Sequence, residues 1–247
     1  MTFSAFCGEN DFISSDGSIC GHEYVDLGLP SGLLWATCDI GDPPEKDSDH
    51  FVWGDCFAWG EITPYECTSV WDVPYYKWFD YSLDIITKYN IDSTQGVVDN
   101  KMILELSDDA AHVNWGGSWR MPTVDELREL VDNCTWTLTE HGFKATGPNG
   151  NSIFLFGQEV SSGEYSESGG YWSSTLDSND SHHAFSLYLS DLDCCDISEN
   201  LVYYSDYSDY CDCSDPRDNC MRYKCIYVSS EYRANGISVR PVSDPQK

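Results

Sequence analysis

The segment Trp115–Cys134 reads WGGSWRMPTVDELRELVDNC and contains the clearest helix start in the chain. Thr123 is followed three residues later by Glu126, which is the spacing of a capping box at a helix N-terminus. The apolar side chains that follow fall on one face at helical spacing: Leu127, Leu130 and Val131. Asp125 in the first turn also suits the positive end of the helix dipole. The segment therefore predicts a helix that begins after Thr123 and buries one apolar face.

Upstream of this helix the chain changes to strands and irregular loops. Tyr24–Leu27 and Leu33–Thr37 are predicted strands, with a turn at Leu29–Gly32 between them. Residues 42–99 are rich in Trp, Tyr, Pro and Gly, which is typical of long packed loops. A shorter helix is predicted to begin at Ser107.

Downstream of Cys134 the apolar residues recur with period two. FKAT (143–146) and SIFLF (152–156) flank Gly-Pro-Asn-Gly, which predicts a hairpin. In HHAFSLYLS (182–190) the alternation predicts a core face of Phe185, Leu187 and Leu189 and an exposed face of Ser186, Tyr188 and Ser190. Two helices, mostly antiparallel strands and long loops place the chain in the α+β class.

The composition favours a folded, acidic protein. The chain has 247 residues, of which 41% are hydrophobic, and a formal net charge of −29. The hydrophobic fraction is sufficient for a real core, and the charge repels phosphate backbones and anionic lipid surfaces. We therefore expect no nucleic-acid partner, and because no apolar stretch approaches about 18 residues, no membrane insertion.

The N-terminal residues differ from the rest of the chain. MTFSAFCGENDF lacks the basic start and apolar run of a secretory signal, so we expect no signal peptide in this sequence. Residues 1–22 show no clear periodicity and are expected to form a leader or assembly arm, with one domain over 23–247.

Residues 176–230 have a strongly biased composition. Lys, Glu, Gln, Met and Trp occur there only as Glu199, Met221 and Lys224. Codons for those five amino acids never end in a pyrimidine, whereas Asp, Ser, Tyr, Cys, His and Asn all have codons that do. Asn codons randomised at both adenines, with the third base fixed, would produce this bias. The composition also suits a recognition surface, because Tyr gives rigid contact area and Ser, Asn and Asp adapt their hydrogen bonds. A solvated acidic loop with incidental tyrosines is the alternative.

Several blocks resemble one known family. They are EYVDLGLPSGLLWATCDIG, FVWGDCFAWGE, DDAAHVNWGGSWRMPTVDELRELVDNCTW, NGNSIFLF, GGYWSS and GISVRPV, in order from about His22 to Val242. Together they closely resemble the major paralogous domain of gut bacteria, members of which serve as variable proteins of diversity-generating retroelements. The resemblance implies a C-type-lectin-like fold of the formylglycine-generating-enzyme type, with a variable region over about 171–242.

Carried over by position, the resemblance implies ligand-binding variable sites at Asp177, Asn179, Asp180, His182, His183, Ser186, Tyr188, Ser190 and Asp191. It implies fixed framework at Leu176, Ala184, Phe185, Leu187 and Leu189. An insertion after Asp191 departs from the family pattern. The ligand contacts expected there are Tyr203, Tyr204, Tyr207, Tyr210 and Tyr227.

Other chemistry has weaker support in the sequence. No Gly-x-Ser-x-Gly elbow, His-Glu-x-x-His pair or phosphate-binding Gly-rich loop is present, so we expect no enzyme. The Asp191, Asp193 and Asp196 spacing fails the EF-hand template, although calcium stays open as a cofactor. We expect no other cofactor.

The cysteines divide into two groups. Six are scattered through the first part and are interpreted as lone buried thiols: Cys7, Cys20, Cys38, Cys56, Cys67 and Cys134. In the biased segment, Cys211, Cys213, Cys220 and Cys225 have spacing unlike that of structural zinc sites. Disulfides between them, such as 213–220 or 211–225, are favoured in an oxidising environment, and free thiols in a reducing one.

These observations predict a non-enzymatic, hypervariable receptor-binding protein, diversified by a retroelement, whose partner is a protein or glycan receptor on a cell surface. The missing export signal favours a virion surface, as a phage tail or fibre-tip protein, and a homo-oligomer would suit a fibre tip. The alternative is an adhesion or structural module on the bacterial cell surface, with the same fold and no active diversification.

Overall fold

The computed structural model describes residues 18–41, 54–65, 75–139, 142–156, 169–190 and 225–245. Two α-helices lie within these ranges, α1 (Ala110–Trp115) and α2 (Val124–Asn133), and a short 3-10 helix at Leu106–Asp108 precedes α1. The strands are β1 (Ser18–Ile19), β2 (His22–Asp26), β3 (Leu34–Ala36), β4 (Cys56–Phe57), β5 (Phe79–Asp80), β6 (Ile85–Ile86), β7 (Trp119–Arg120), β8 (Thr135–Thr139), β9 (Gly142–Thr146), β10 (Ser152–Phe156), β11 (Gly169–Leu176), β12 (His183–Ser190), β13 (Cys225–Tyr232), β14 (Ile237–Ser238) and β15 (Val242–Ser243).

The strands form two five-stranded sheets, a three-stranded sheet and a two-stranded ribbon. The first large sheet has the order β1-β2-β3-β15-β7, and the second has the order β13-β12-β11-β14-β4. Strands β8 to β10 form the three-stranded sheet, and β5 pairs with β6. Among the described strands, every pairing is antiparallel except that of β11 with β14. The predicted α+β class, with two helices and mostly antiparallel strands, is confirmed.

Helix α2 begins where the capping box predicts. The Thr123 hydroxyl accepts a hydrogen bond from the Glu126 amide at 3.3 Å, and the Glu126 carboxylate accepts one from the Thr123 amide at 2.7 Å. Leu127 and Leu130 are buried on one face. This confirms the predicted helix, because the signals that start it are local in sequence.

Helix α1 begins at Ala110, so the start predicted at Ser107 is wrong by three residues. Asp109 caps it by accepting a hydrogen bond from the His112 amide at 3.0 Å, and its second oxygen accepts one from the Met121 amide at 2.8 Å. The neighbouring carboxylate of Asp108 binds Lys88 instead.

The predicted hairpins are present. Strands β2 and β3 pair antiparallel, with Val25 opposite Trp35. Strands β9 and β10 flank the Gly-Pro-Asn-Gly turn, with Thr146 opposite Ser152. A Cβ atom at Gly147 would lie 2.0 Å from the carbonyl oxygen of Leu27, so this turn packs closely against the end of β2.

Two apolar clusters cover opposite faces of the β11–β12 pair. One contains the buried indoles of Trp59, Trp119 and Trp172, and each indole N–H donates to a backbone carbonyl at 2.7–2.9 Å. The other contains Leu127 of α2 and Leu187 of β12. Because both faces are covered, this sheet lies between the two halves of the core.

Two arginines that follow β13 and β14 are almost fully buried. Arg240 forms an ion pair with Asp39, and both residues are buried. Arg233 donates to the Tyr76 hydroxyl and to the carbonyls of Lys88, Tyr89 and Ser181, at 2.7–3.1 Å.

The domain begins before the predicted boundary at residue 23. Ser18 and Ile19 pair with β2, and Ile19 is fully buried in the tryptophan-containing cluster. The short β1 strand therefore belongs to the fold, while residues 1–17 of the expected leader lie outside the described residues.

The interpretation of the first-part cysteines as lone thiols is wrong for two of them. Cys20 and Cys56 are disulfide-bonded, whereas Cys134 is a free, half-buried thiol and Cys38 is half-buried. Cys7 and Cys67 lie outside the described residues. Scattered spacing gave no sign of these bonds, because disulfides depend on proximity in the fold.

None of the described helices is long and apolar enough to cross a membrane, as expected.

Candidate binding surface

The biased part of the chain supplies two adjacent strands, β12 and β13. They pair antiparallel without a break, from His183 opposite Tyr232 to Ser190 opposite Cys225. Successive side chains of a strand point to opposite faces, so the register assigns each residue of this β12–β13 ribbon to one face.

One face of the ribbon is apolar and packs into the core. Leu187 and Leu189 of β12 are fully buried in the leucine-containing cluster, and Ile226 and Val228 of β13 pack against it. Phe185 of the same face is only half-buried, with the Arg128 guanidinium of α2 5.7 Å from its ring. The apolar alternation predicted for β12 is thus repeated in β13.

The other face carries Ser and Tyr in matching pairs. Tyr188 lies directly opposite Tyr227, with ring centroids 5.1 Å apart, and both are half-buried. Ser186 lies opposite Ser229, with hydroxyl oxygens 3.3 Å apart. We call these four residues the serine–tyrosine stripe.

Glu231 continues this face of the ribbon beyond Ser229. The Ser229 hydroxyl donates to its carboxylate at 3.2 Å. Burial raises the pKa of the Glu231 carboxyl above its usual range. The hydrogen bond from Ser229 and the charge of His183 lower this pKa, but burial has the larger effect.

Two predicted contact residues, Ser186 and Asp177, are buried, and the exposure predicted for Ser186 is wrong. Ser186 is 1% exposed, because Trp172 on one side and Ser229 on the other lie directly opposite it in neighbouring strands. Asp177 is 8% exposed and accepts hydrogen bonds from the Asn179 amide at 2.8 Å and the Ser230 hydroxyl at 2.5 Å. Both hold the turn and ribbon in place and offer little surface to a ligand.

The turn between β11 and β12 presents the polar residues predicted there. Asn179 is exposed, and Asp180 is half-buried. Asp180 accepts hydrogen bonds from the His182 amide at 2.9 Å, from a His183 ring nitrogen at 3.0 Å and from Gln95 at 3.2 Å. Burial opposes its ionisation, but the His182 amide and the charge of His183 outweigh it and lower the pKa of Asp180.

A cluster of rings lies at the end of the ribbon where β12 begins. The His182 ring stacks on Tyr232 at 6.2 Å and 15°, and the His183 ring meets Tyr232 edge-on at 5.8 Å. Phe79 of β5 lies 5.9 Å from His182. Burial lowers the pKa of His182, so its ring is neutral at pH 7. By register, His183 and Tyr232 belong to the face opposite to the serine–tyrosine stripe.

Sequence reasoning missed Ser229, Glu231 and Tyr232 as surface residues. For Ser229 and Glu231 the signal was the same alternation that marked β12, since Ile226 and Val228 alternate with them, whereas Tyr232 lies on the face of Ile226 and Val228 and had no such signal. Phe79 carried no signal, because it comes next to His182 only through the fold.

Some predicted residues lie outside the described ranges or lack a described side chain. Asp191, Tyr203, Tyr204, Tyr207 and Tyr210 are outside, as are Cys211, Cys213 and Cys220 and the other acidic residues considered for calcium. Ser190 and Cys225 are placed by backbone pairing alone.

No group of three or more His, Cys, Asp or Glu side chains suited to a metal occurs within the residues that the structure describes. What the described surface offers chemically is ring stacking, hydroxyl and carboxylate hydrogen bonding, and negative charge.

Comparison of the chain with protein-family models found no match, and comparisons with curated proteins and with solved structures found none either.

Proposed function

We propose that this chain is a non-enzymatic receptor-binding protein of the diversity-generating retroelement type, with a C-type-lectin-like fold of the formylglycine-generating-enzyme type. Its β12–β13 ribbon and the preceding turn present the variable surface. The proposed partner is a protein or glycan receptor on another cell.

The observation that carries this proposal is the division of residue types between the two ribbon faces. The serine–tyrosine stripe holds only Ser and Tyr, whereas Leu187, Leu189 and Val228, which randomised Asn codons can also encode, pack into the core on the other face. Substitution of the half-buried Tyr188, Tyr227 and Ser229 changes less packing than substitution on the other face, which opens cavities at about 2–5 kcal/mol each. A chain that tolerates repeated change at chosen positions needs this arrangement.

The stripe also has the chemistry of a recognition surface. The Tyr188 and Tyr227 rings give rigid contact area, because a tyrosine has only two side-chain torsions to fix on binding. They contact each other at 5.1 Å, which holds both rings in place before a ligand arrives. Ser229 and the half-buried Glu231 beside them supply adaptable hydrogen bonds.

The disulfide-bonded Cys20 and Cys56 support a place outside the cytoplasm, since such bonds persist in oxidising surroundings. We propose the surface of a phage particle, at a tail or fibre tip, or the bacterial cell surface. Calcium as a cofactor and a homo-oligomeric assembly remain part of the proposal.

The decisive experiment is to sequence the DNA flanking the gene and search for a near-copy of codons 171–242 beside a reverse-transcriptase gene. Expected mismatches fall where the copy carries adenine, and include the codons of Ser186, Tyr188, Tyr227 and Ser229. The codons of Leu187, Leu189 and Val228 are matched controls and are expected to agree between the copies. Mismatches spread equally over both faces, or no copy at all, would refute diversification and leave a fixed adhesion module of the bacterial surface as the better account.

A further inference from the structure

The rings at the start of β12 continue onto a part of the chain outside the biased segment. Phe79 contacts Tyr81 at 4.9 Å, and Tyr81 contacts Tyr75 at 6.0 Å, both edge-on. With the contacts described above, six rings form one connected series. We call it the aromatic row: Tyr75, Tyr81, Phe79, His182, Tyr232 and His183.

The row is unusually exposed for aromatic side chains. Tyr75 is 79% exposed, Tyr81 54% and Tyr232 39%. Leu83, in the same loop as Tyr81, is 65% exposed. Contiguous exposed apolar surface of this kind is typical of a site that binds another molecule, because a monomer gains nothing from leaving it in water.

The backbone that carries these rings is nonetheless held firmly. The Tyr81 hydroxyl accepts a hydrogen bond from the Tyr76 amide at 3.0 Å. Asp80 accepts bonds from the Ser82 amide, the Ser82 hydroxyl and the Leu83 amide at 2.6–3.3 Å. Tyr76 in turn donates to a backbone carbonyl at 2.6 Å and is buried. Rings fixed in advance lose little conformational freedom on binding, which is how a contact surface gains affinity.

A small cleft opens beside the middle of the row. Its partly exposed lining residues are Phe79, His182 and Tyr232, and its buried ones include Ile86 and Ala234. Its cavity volume is only about 10 Å³. A cavity needs about 10–15 Å³ to hold one water, so this cleft is a shallow depression between the rings, and a partner side chain would lie over it and not inside it.

The charge around the row is negative. Asp80 is half-buried, Asp84 is exposed in the same loop, and Asp180 lies beside His183. Of the basic groups nearby, Arg233 is buried, and Lys88 is engaged by Glu105 and Asp108. The chain as a whole carries a net charge of −29. A complementary partner surface is therefore apolar at its centre and basic at its rim.

We propose that the aromatic row is a docking surface for a protein that lays one apolar or aromatic side chain, flanked by basic residues, against these rings. Tyr75, Phe79 and Tyr81 form its fixed half, and His182, His183 and Tyr232 its changeable half. All partners would then contact the fixed half, and the residues present in the changeable half would determine which partner binds. Docking at the row does not require ligand binding by the serine–tyrosine stripe, although the division into fixed and changeable halves rests on the proposed function.

The test uses random twelve-residue peptides displayed on phage and selected against the purified full chain. The selected peptides are synthesised, and their affinities are measured by calorimetry for the parent chain and for variants. Tyr75→Ser and Tyr81→Phe probe the fixed half, because Tyr75 is mostly solvent-exposed and Tyr81→Phe keeps the ring. Tyr188→Ser probes the stripe, and Val113→Ala in α1, 43% exposed, is the matched control.

Expected peptides combine an aromatic or large apolar residue with Lys or Arg. Their affinity falls at least tenfold with Tyr75→Ser, falls less with Tyr81→Phe, and is unchanged by Tyr188→Ser and Val113→Ala. If only Tyr188→Ser lowered the affinity, the docking surface at the aromatic row would be refuted, while the serine–tyrosine stripe would be supported as a binding surface. The proposal would also be overturned if neither Tyr75→Ser nor Tyr188→Ser lowered the affinity, if the selected peptides were acidic, or if the selection enriched no peptide. Melting temperatures within a few degrees of the parent show that each variant is folded.

Discussion

The buried ion pair between Asp39 and Arg240 gives the sharpest test of how the two large sheets are joined. Both residues are at most 2% exposed. The Asp39 carboxylate accepts from Arg240 Nε and from the Tyr171 hydroxyl, the latter at 3.0 Å. Arg240 also donates to the carbonyls of Ala36 and Phe154, at 3.2 and 2.9 Å. The substitution Asp39→Asn keeps the shape of the side chain, removes its charge and replaces one of its two acceptor oxygens by an NH2 donor.

The expected loss is large because the Arg240 guanidinium stays buried with its counter-charge gone. Breaking one side of such a pair lowers the free energy of unfolding by about 3–5 kcal/mol. For a chain of this size each kcal/mol corresponds to about 2–4 °C, so the melting temperature is expected to fall by roughly 6–20 °C.

The assay is urea unfolding followed by tryptophan fluorescence, with thermal melting in parallel. The control is Asp125→Asn, which removes the exposed pair between Asp125 and Arg128 and is expected to cost less than about 1 kcal/mol. Replacing both buried partners, Asp39→Asn with Arg240→Met, is expected to cost less than the sum of the single changes. An Asp39→Asn variant no less stable than the control variant would refute the reasoning.

Three further predictions concern single sites. Thr123→Ala removes the cap of α2 and is expected to lower the free energy of unfolding, measured by urea unfolding, by about 1 kcal/mol. Thr123→Ser keeps the hydroxyl, so its free energy of unfolding is expected to fall by less than half of that amount. Burial opposes ionisation of Glu126, but the bidentate Arg120 guanidinium at 2.6 and 2.8 Å outweighs it and lowers the pKa of Glu126. The ionised Glu126 therefore contributes fully to the free energy of unfolding above its unfolded pKa of about 4.3, and this contribution is lost as the pH falls through the lower folded pKa. In the Glu126→Gln variant, the free energy of unfolding is expected to fall less steeply between about pH 5 and pH 3 than in the parent chain. An unchanged slope of the free energy of unfolding against pH would contradict this prediction. Gly147→Ala places a Cβ 2.0 Å from the Leu27 carbonyl oxygen and is expected to cost about 1–3 kcal/mol. Gly150→Ala, where a Cβ meets nothing within 4 Å and φ is +87°, measures the separate cost of a positive φ, a strain that Gly147 does not have.

Features that depend on neighbours in the sequence were predictable. The cap of α2 at Thr123 and the hairpin around Gly147 both use residues within a few positions of each other. The apolar face of β12 was also predictable, because Leu187 and Leu189 follow the strand period.

Features that depend on distant parts of the chain were not predictable. Ser186 is buried only because β11 and β13 flank it, and 34 residues separate the end of β12 from the start of β13. Arg240 is buried by a partner about 200 positions away in the sequence. The meeting of Phe79 with His182 in the aromatic row has the same origin.

Two short strands downstream of the biased segment belong to the two large sheets. Strand β14 lies between β11 and β4, and β15 lies between β3 and β7, so neither sheet is complete until these strands have been synthesised. A stop codon or frameshift anywhere in the gap between β12 and β14 removes both strands and also Arg240. Such a truncated product exposes two unfinished sheets and the apolar surface beneath them, and it becomes a substrate for cellular proteases. The order of strands along the chain thus links folding to translation beyond the biased segment: whatever residues that segment holds, a chain that stops within it lacks a central strand of both large sheets.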